Sequence, residues 1–304
     1  MKVLLLVNSS ASSVTARGRV VIQKALSADH DVTLAETTRR GNATRQARGA
    51  ATSGTDVVVV LGGDGTLNEA ANGLIGTDCA LATLPGGSTN VFARTLGLPN
   101  DPVEATGALL DALERDSIRS VGLGSVNGRY FLFHTGLGFD AAVVRQVERR
   151  SALKRYAGHP LFIWAAVTTW MRHYDRSRPR LALHLPGGHV IDDGYLALVL
   201  NTDPYTFLGN RPLHVTDEAG LDDPLTVVTL RSLKLPTILG VAASALGFGR
   251  SVERHRHVDL RTGVRELRVT GHGPFPYQVD GDYLGEATEL ALRWEPDVMR
   301  LVIP

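Results

Sequence analysis

Val57-Val58-Val59-Val60-Leu61-Gly62-Gly63-Asp64-Gly65-Thr66-Leu67-Asn68-Glu69-Ala70-Ala71-Asn72-Gly73 opens with unbroken aliphatic residues, passes through glycines grouped around one acid, and continues with helical composition. An aliphatic run without alternation predicts a strand covered on both faces, as in a parallel sheet flanked by helices. Glycines let an anion approach the backbone, and the free N–H groups and dipole of a following helix attract phosphate. The segment reads as a phosphate cradle, with a plain strand-to-helix turn as the alternative. An aspartate here would repel a bare phosphate, so its presence points to a divalent cation between the two. Asp64 is therefore the first candidate for a magnesium-linked or catalytic residue.

A second loop of the same kind begins 24 residues later, in Leu81-Ala82-Thr83-Leu84-Pro85-Gly86-Gly87-Ser88-Thr89-Asn90-Val91-Phe92-Ala93-Arg94. It again leads from a strand through small polar residues into a helix. Two helix N-termini and the hydroxyls of Ser88 and Thr89 are expected to converge on one polyanion; an ordinary N-cap is the other reading. No G-x-x-x-x-G-K-[ST] is present, and the four lysines, Lys2, Lys24, Lys154 and Lys234, lie outside both loops. A P-loop NTPase is excluded.

Around these loops the first 125 residues alternate strand and helix: strands at Val3–Val7, Asp31–Glu36 and Val57–Leu61, helices at Val14–Leu26 and Ala43–Thr52. Asp101-Pro102 starts another helix, with Asp101 as N-cap. Beyond residue 125 short strands separated by Gly, Pro and Asp predominate, at 129–135, 181–185, 194–200, 225–230, 266–270, 277–279 and 289–293, with helical insertions near 140–175 and 236–248. The expected fold is an open α/β domain over 1–125 and an antiparallel β domain over 126–293, with about 294–304 returning to the first. A chain of 304 residues with 43% hydrophobic and 21% charged residues has room for two such cores and is neither disordered nor fibrous. The single cysteine, Cys79, excludes an intrachain disulfide and a thiolate zinc site. The first apolar run stops at Asn8, and no apolar stretch approaches the about 20 residues that cross a bilayer, so the expectation is a cytoplasmic protein.

Gly62-Gly63-Asp64-Gly65-Thr66-Leu67-Asn68-Glu69, Pro85-Gly86-Gly87-Ser88-Thr89-Asn90, Gly136-Leu137-Gly138-Phe139-Asp140, Leu221-Asp222-Asp223 and Val279-Asp280-Gly281-Asp282 occur in one order along nearly the whole chain. Together they resemble the diacylglycerol kinase catalytic domain of the lipid kinases, which include sphingosine, ceramide and bacterial lipid kinases. The resemblance implies an NAD kinase- or phosphofructokinase-like nucleotide domain and a C-terminal β-sandwich. It also implies ATP- and Mg-dependent phosphorylation of a lipid hydroxyl, diacylglycerol or a similar alcohol. Nucleotide-binding positions carried over are Asn8, Thr37, Gly62, Gly63, Gly65, Thr66, Asn68, Glu69, Gly86, Gly87, Ser88, Thr89 and Asn90. Asp282 stands where relatives have a glutamate that takes the proton from the lipid; it is one methylene shorter. Asp223, with the carbonyls of Gly220 and Leu225, matches a structural magnesium site, a β-turn being the alternative. Val91 and Gly122 replace acids of the usual network, and Asn8-Ser9-Ser10 replaces a usual Asn-Pro. A sphingoid-base or other lipid kinase, an NAD kinase and a nucleotide-dependent membrane-binding protein are the competing readings.

Formal net charge is +1, which argues against a globally basic nucleic-acid binder. Its distribution is uneven: residues 145–180 carry nine basic and two acidic residues, a local +7, and 250–268 carry six and three, a local +3. Between the basic flanks of the first segment lies the uncharged stretch Pro160 to Met171, which suits a helix in a lipid interface. There each basic residue near an anionic leaflet is worth about 1 kcal/mol. A core helix with solvated ends is the other reading, and Trp164 and Trp170 read first as core. The expected place of action is the inner membrane surface, peripherally bound; the oligomeric state is left open, a homodimer included.

Overall fold

A computed structural model describes residues 1–248 and 251–304, with backbone only over 151–159. The chain forms two compact units, 1–123 with 296–304, and 124–295.

The first unit contains β1 (Lys2–Val7), α1 (Ala16–Leu26), β2 (Asp31–Glu36), α2 (Asn42–Thr52), β3 (Val57–Gly62), α3 (Asp64–Leu74), β4 (Ala80–Pro85), the short α4 (Val91–Thr95) and α5 (Pro102–Glu114). Its strands are parallel in the order β2-β1-β3-β4, and Leu301 near the C-terminus pairs with Leu81 on the far side of β4. Every residue of β3 and β4 is buried, which accounts for their unbroken aliphatic runs. Thr15 caps α1 by accepting the Gly18 N–H, and Asp101 caps α5 by accepting those of Val103 and Glu104. The strand order reverses between β1 and β3, the place where open α/β sheets bind ligands beyond the strands' carboxyl ends.

The second unit follows from β5 (Ile118–Val126): β6 (Arg129–Phe131), β7 (His134–Gly138), α6 (Phe139–Glu148), α7 (Ser151–Thr168), β8 (Leu181–His184), β9 (Val190–Gly194), β10 (Leu196–Leu200), β11 (Thr206–Leu208), β12 (Arg211–Leu213), β13 (Leu225–Leu230), α8 (Leu235–Ala245), β14 (Val258–Val264), β15 (Glu266–Val279) and β16 (Asp282–Val302). Antiparallel strands run in the order β14-β13-β10-β7-β15-β16, and β8 and β9 extend from β15. Their inward residues, among them Phe131, Leu137, Leu183, Val199, Val227, Val269, Phe275 and Leu292, share one core. The strand expected over 129–135 is broken into β6 and β7, because the N–H groups of Leu132 and Phe133 turn to a side chain, that of Asp280. The two strands expected at 266–270 and 277–279 are one, β15, with a register shift between Thr270 and Phe275.

Candidate active site

In the first unit Asn8, Thr37, Gly63 and Gly86 directly follow the carboxyl ends of β1, β2, β3 and β4. Parallel strands bring these four ends to one edge of the sheet. Across the reversal point the Asn8 amide donates to the Thr66 hydroxyl at 2.9 Å. The two glycine loops touch backbone to backbone: the Gly86 N–H donates to the Gly62 carbonyl at 2.8 Å. A Cβ on Gly86 would stand 2.8 Å from both Cα and N of Gly62, and one on Gly87 2.8 Å from Cα of Gly63. Glycine is required there because backbone, rather than a side chain, fills the adjoining space. Gly63, Gly65, Thr66, Gly87 and Thr89 are half-buried and Ser88 is exposed, so the cradle keeps open backbone and hydroxyls. Helix geometry leaves the Asp64 and Gly65 N–H groups without intrahelical acceptors.

Asp64 does more than face a cation. Its two carboxylate oxygens accept the N–H groups of Val91 at 3.0 Å and Phe92 at 3.1 Å, capping α4 and tying the second loop to the first. The expected convergence of two helix N-termini on one polyanion is thereby corrected: the N-terminus of α4 is taken by Asp64, and α3 alone offers its own. Asn90 has a left-handed φ of 51° and is 2% exposed; its amide accepts the Gly87 N–H at 2.7 Å and donates to the Gly87 carbonyl at 2.9 Å. Glu69 accepts the N–H groups of Gly41 and Ala43, bracing the start of α2, and Asn68 is 1% exposed. Of the residues expected among the nucleotide contacts, Glu69 and Asn90 thus also hold backbone groups of the loops, and Asn68 is buried. The sequence reading missed Ser13, whose hydroxyl donates to the Gly87 carbonyl at 3.1 Å.

The donor set suits magnesium delivered with a nucleotide, an ion held by one or two carboxylates together with phosphate oxygens. Asp64 supplies one carboxylate, and the Arg94 guanidinium feels its charge. Among the described residues no group of three His, Cys, Asp or Glu side chains lies at the glycine loops. In the second unit the Asp223 N–H donates to the Gly220 carbonyl at 3.1 Å, closing a turn just ahead of β13, which begins at Leu225.

Also in the second unit, Asp280 and Gly281 form a two-residue hairpin turn, with φ of 47° and 79°, and Asp282 opens β16. The Asp280 carboxylate accepts three buried N–H groups, Leu132 at 2.7 Å, Phe133 at 3.0 Å and His134 at 3.1 Å. Asp282 is 22% exposed in its side chain and lies 3.6 Å from the Arg129 guanidinium. Behind the turn, the Gln278 carbonyl oxygen of the side chain accepts the Gly281 N–H at 2.8 Å while its amide donates to Asp140 at 2.9 Å. Tyr205 donates to the other Asp140 oxygen. Burial pushes the Asp140 carboxyl above its ordinary range, against these two hydrogen bonds. Gly136, which opens the Gly136 to Asp140 motif, makes room for this acid: a Cβ there would fall 1.7 Å from an Asp140 oxygen.

Two predictions arise here. Asp280→Ala leaves three buried donors unpaired and is expected to destabilise the fold by about 3 kcal/mol, read as a shift in the urea midpoint with an unchanged slope. His134 is 5% exposed and burial pushes its pKa down to about 3. The unfolded chain therefore binds a proton that the folded chain refuses, so this residue lowers stability as pH falls from about 6.5 toward 3. His134→Gln is expected to flatten that part of the stability-against-pH curve, measured by urea unfolding between pH 7 and 4; an unchanged slope contradicts the assignment.

The diacylglycerol kinase catalytic domain pattern matches residues 2–126. A Bacillus subtilis protein named diacylglycerol kinase is 38% identical over 267 residues, spanning 87% of this chain and 84% of that protein. A YegS-like lipid kinase of Pseudomonas aeruginosa is 28% identical over 320 residues, spanning 100% of this chain and 94% of its own. A crystal structure of a diacylglycerol kinase from Bacillus anthracis shares the fold with a TM-score of 0.73 at 22% identity, covering 100% of this chain and 97% of the other.

Proposed function

Because the chain belongs to the diacylglycerol kinase family of lipid kinases, we propose that it transfers the γ-phosphate of ATP, with magnesium, to the hydroxyl of diacylglycerol or a similar lipid alcohol. With diacylglycerol the product is phosphatidic acid. The observation that carries the nucleotide half of the reading is the backbone contact between the Gly62-Gly63 and Gly86-Gly87 loops beside the half-buried start of α3.

In this reading the phosphates lie over Gly63, Gly65 and Gly87, with the N–H groups of Asp64 and Gly65 and the hydroxyls of Thr66, Ser88 and Thr89 as donors. Asn8 and Thr37 border the nucleotide at the neighbouring strand ends. Gly62, Gly86, Asn68, Glu69 and Asn90 set the shape of the cradle. Asp64 would hold magnesium, which supplies neutralisation of the phosphate charge when bound. A second, structural magnesium would be held by Asp223 with the Gly220 and Leu225 carbonyls. Asp282 accepts the proton of the acceptor hydroxyl as that oxygen attacks phosphorus. Its place on a hairpin fixed by Asp280 and Gln278 supports this role, since a base acts only from a defined position.

The sequence loops report the donor more than the acceptor. Full-length similarity to a YegS-like lipid kinase supports other lipid alcohols, sphingoid bases and ceramide among them, as the second reading. The test is a panel of mixed micelles with γ-labelled ATP and magnesium, containing diacylglycerol, monoacylglycerol, sphingosine, ceramide or phosphatidylglycerol, with NAD as a soluble control. Label in diacylglycerol supports the first reading, label in another lipid the second, and label in NAD alone contradicts both. A lipid acceptor also calls for peripheral attachment at an inner membrane surface. No described helix is long and apolar enough to cross a membrane.

A further inference from the structure

The second unit shows solvent an apolar face on two helices. Among the described side chains of α7 and the π-helical turn that follows it (Thr169–His173), the buried ones are Leu161, Ala165 and Thr169, spaced one helical turn apart. Leu161 and Ala165 pack with Val147 of α6. The opposite side is equally apolar: Ile163, Trp164, Val167 and Met171 are 53%, 40%, 50% and 58% exposed. A helix on a water-facing surface ordinarily puts charge there. Here Pro160 to Met171 contains no charged residue, and neither does Leu235 to Phe248, which holds α8. On α8 Leu235 and Leu239 are 47% and 59% exposed. The two helices meet: the Trp170 indole donates to the Leu233 carbonyl at 2.8 Å and its ring joins Ile238 and Val241. The tryptophans, both expected in the core, divide, Trp170 turned inward and Trp164 outward.

The border of this face is cationic. The Arg150 guanidinium lies 4.1 Å from the Trp164 ring centre and that of Arg176 3.9 Å from Trp170, while Arg149, Arg172, Arg178 and Lys234 are exposed. Asp175 is the one acid between Met171 and Arg180, and it is engaged by Ser177 and Arg180. Lys154 and Arg155, counted with this segment in the sequence, lie outside the residues whose side chains are described. In the other basic segment, 250–268, Arg261 pairs with Asp259 and Arg268 with Glu289, Arg254 and Arg256 are exposed, and Arg250 lies outside the described residues.

We propose that α7, its π-helical turn and α8 form one docking surface for an anionic phospholipid bilayer, in which Ile163, Trp164, Val167, Met171, Leu235 and Leu239 enter the acyl boundary and the surrounding arginines meet the headgroup phosphates. Apolar residues with tryptophan inside a basic border match the interface of such a membrane in both layers, hydrocarbon and charge. The proposal rests on the lipid-kinase reading for the reason to visit a membrane, but its test does not use catalysis.

The experiment is flotation of the full chain with vesicles of phosphatidylcholine alone or mixed equally with phosphatidylglycerol, at low and raised salt. The expected result is binding to the mixed vesicles that weakens with salt. Val167→Glu/Met171→Glu, and separately Leu239→Glu, should each lower that binding by about tenfold or more. Because these residues are exposed, the variants should keep the wild-type melting temperature and full activity on a short-chain, monomeric acceptor. Absent vesicle binding by the wild type, or unchanged binding by both variants, overturns the proposal. So does a wild-type dimer that the double variant converts to monomer, since a second copy would then be the occupant. Vesicle binding that depends on this face without phosphorylation of any lipid would sustain the docking surface and defeat the acceptor assignment instead.

Discussion

Replacing Asp282 by asparagine is expected to lower kcat by about 10²–10⁴-fold, the usual cost of losing a positioned general base. ATP affinity should change little, because the substitution removes none of the N–H and hydroxyl donors proposed for the phosphates. Stability should change little as well: the Asp282 side chain is partly exposed and its neighbour Arg129 stands 3.6 Å away, an ion pair of the weak surface kind. Asn keeps the size and loses the basic oxygen, so a selective fall in kcat separates proton transfer from hairpin geometry. Asp280→Ala, two residues earlier, tests the opposite case, in which the turn itself is lost. If Asp282→Asn turns over at the wild-type rate, the base lies elsewhere.

Gly86→Ala is expected to cost at least about tenfold in ATP affinity, the equivalent of ~1.4 kcal/mol, together with about 1–3 kcal/mol of stability. The added methyl would meet Cα and N of Gly62 at 2.8 Å and the Val14 side chain at 2.9 Å. Two of those three neighbours are backbone of the other glycine loop, which moves only by opening the cradle. The bond from the Gly86 N–H to the Gly62 carbonyl and the Asp64 hold on α4 would be strained together. Gly107→Ala is the matched control. That glycine lies in α5 with nothing within 4 Å of its would-be Cβ, so alanine there should leave affinity unchanged and add up to about 1 kcal/mol of stability. Calorimetric titration with ATP and urea unfolding of both variants measure the two effects.

The features written plainly in the sequence were those governed by local rules. Val57–Leu61 has to be a doubly covered strand, and Asp101-Pro102 has to start a helix, because burial on both faces and the N-cap are properties of neighbouring residues. The candidate cradle was legible for the same reason. Its bracing was not: Asp64 caps a helix 27 residues away, Glu69 one 26 residues back, and Asp280 reaches Leu132 across 148 residues. A carboxylate that caps a distant helix looks in sequence like one that holds a metal, since both roles need an acid beside glycine. Helix α7 was ambiguous for a different reason. Where both sides of a helix are apolar, periodicity cannot say which is buried; only the spacing of Leu161, Ala165 and Thr169 against Val147 decides it.

The proposed reaction moves phosphate from ATP directly to a lipid hydroxyl while Asp282 takes the hydroxyl proton. It is tested most directly by following label from γ-labelled ATP into short-chain diacylglycerol in detergent, with and without magnesium, for the wild type and Asp282→Asn side by side. The expected result is magnesium-dependent formation of labelled phosphatidic acid by the wild type and a loss of about 10²-fold or more in the variant. Labelled product at equal rates from both proteins, or ATP bound with no label passed to any lipid, would contradict it.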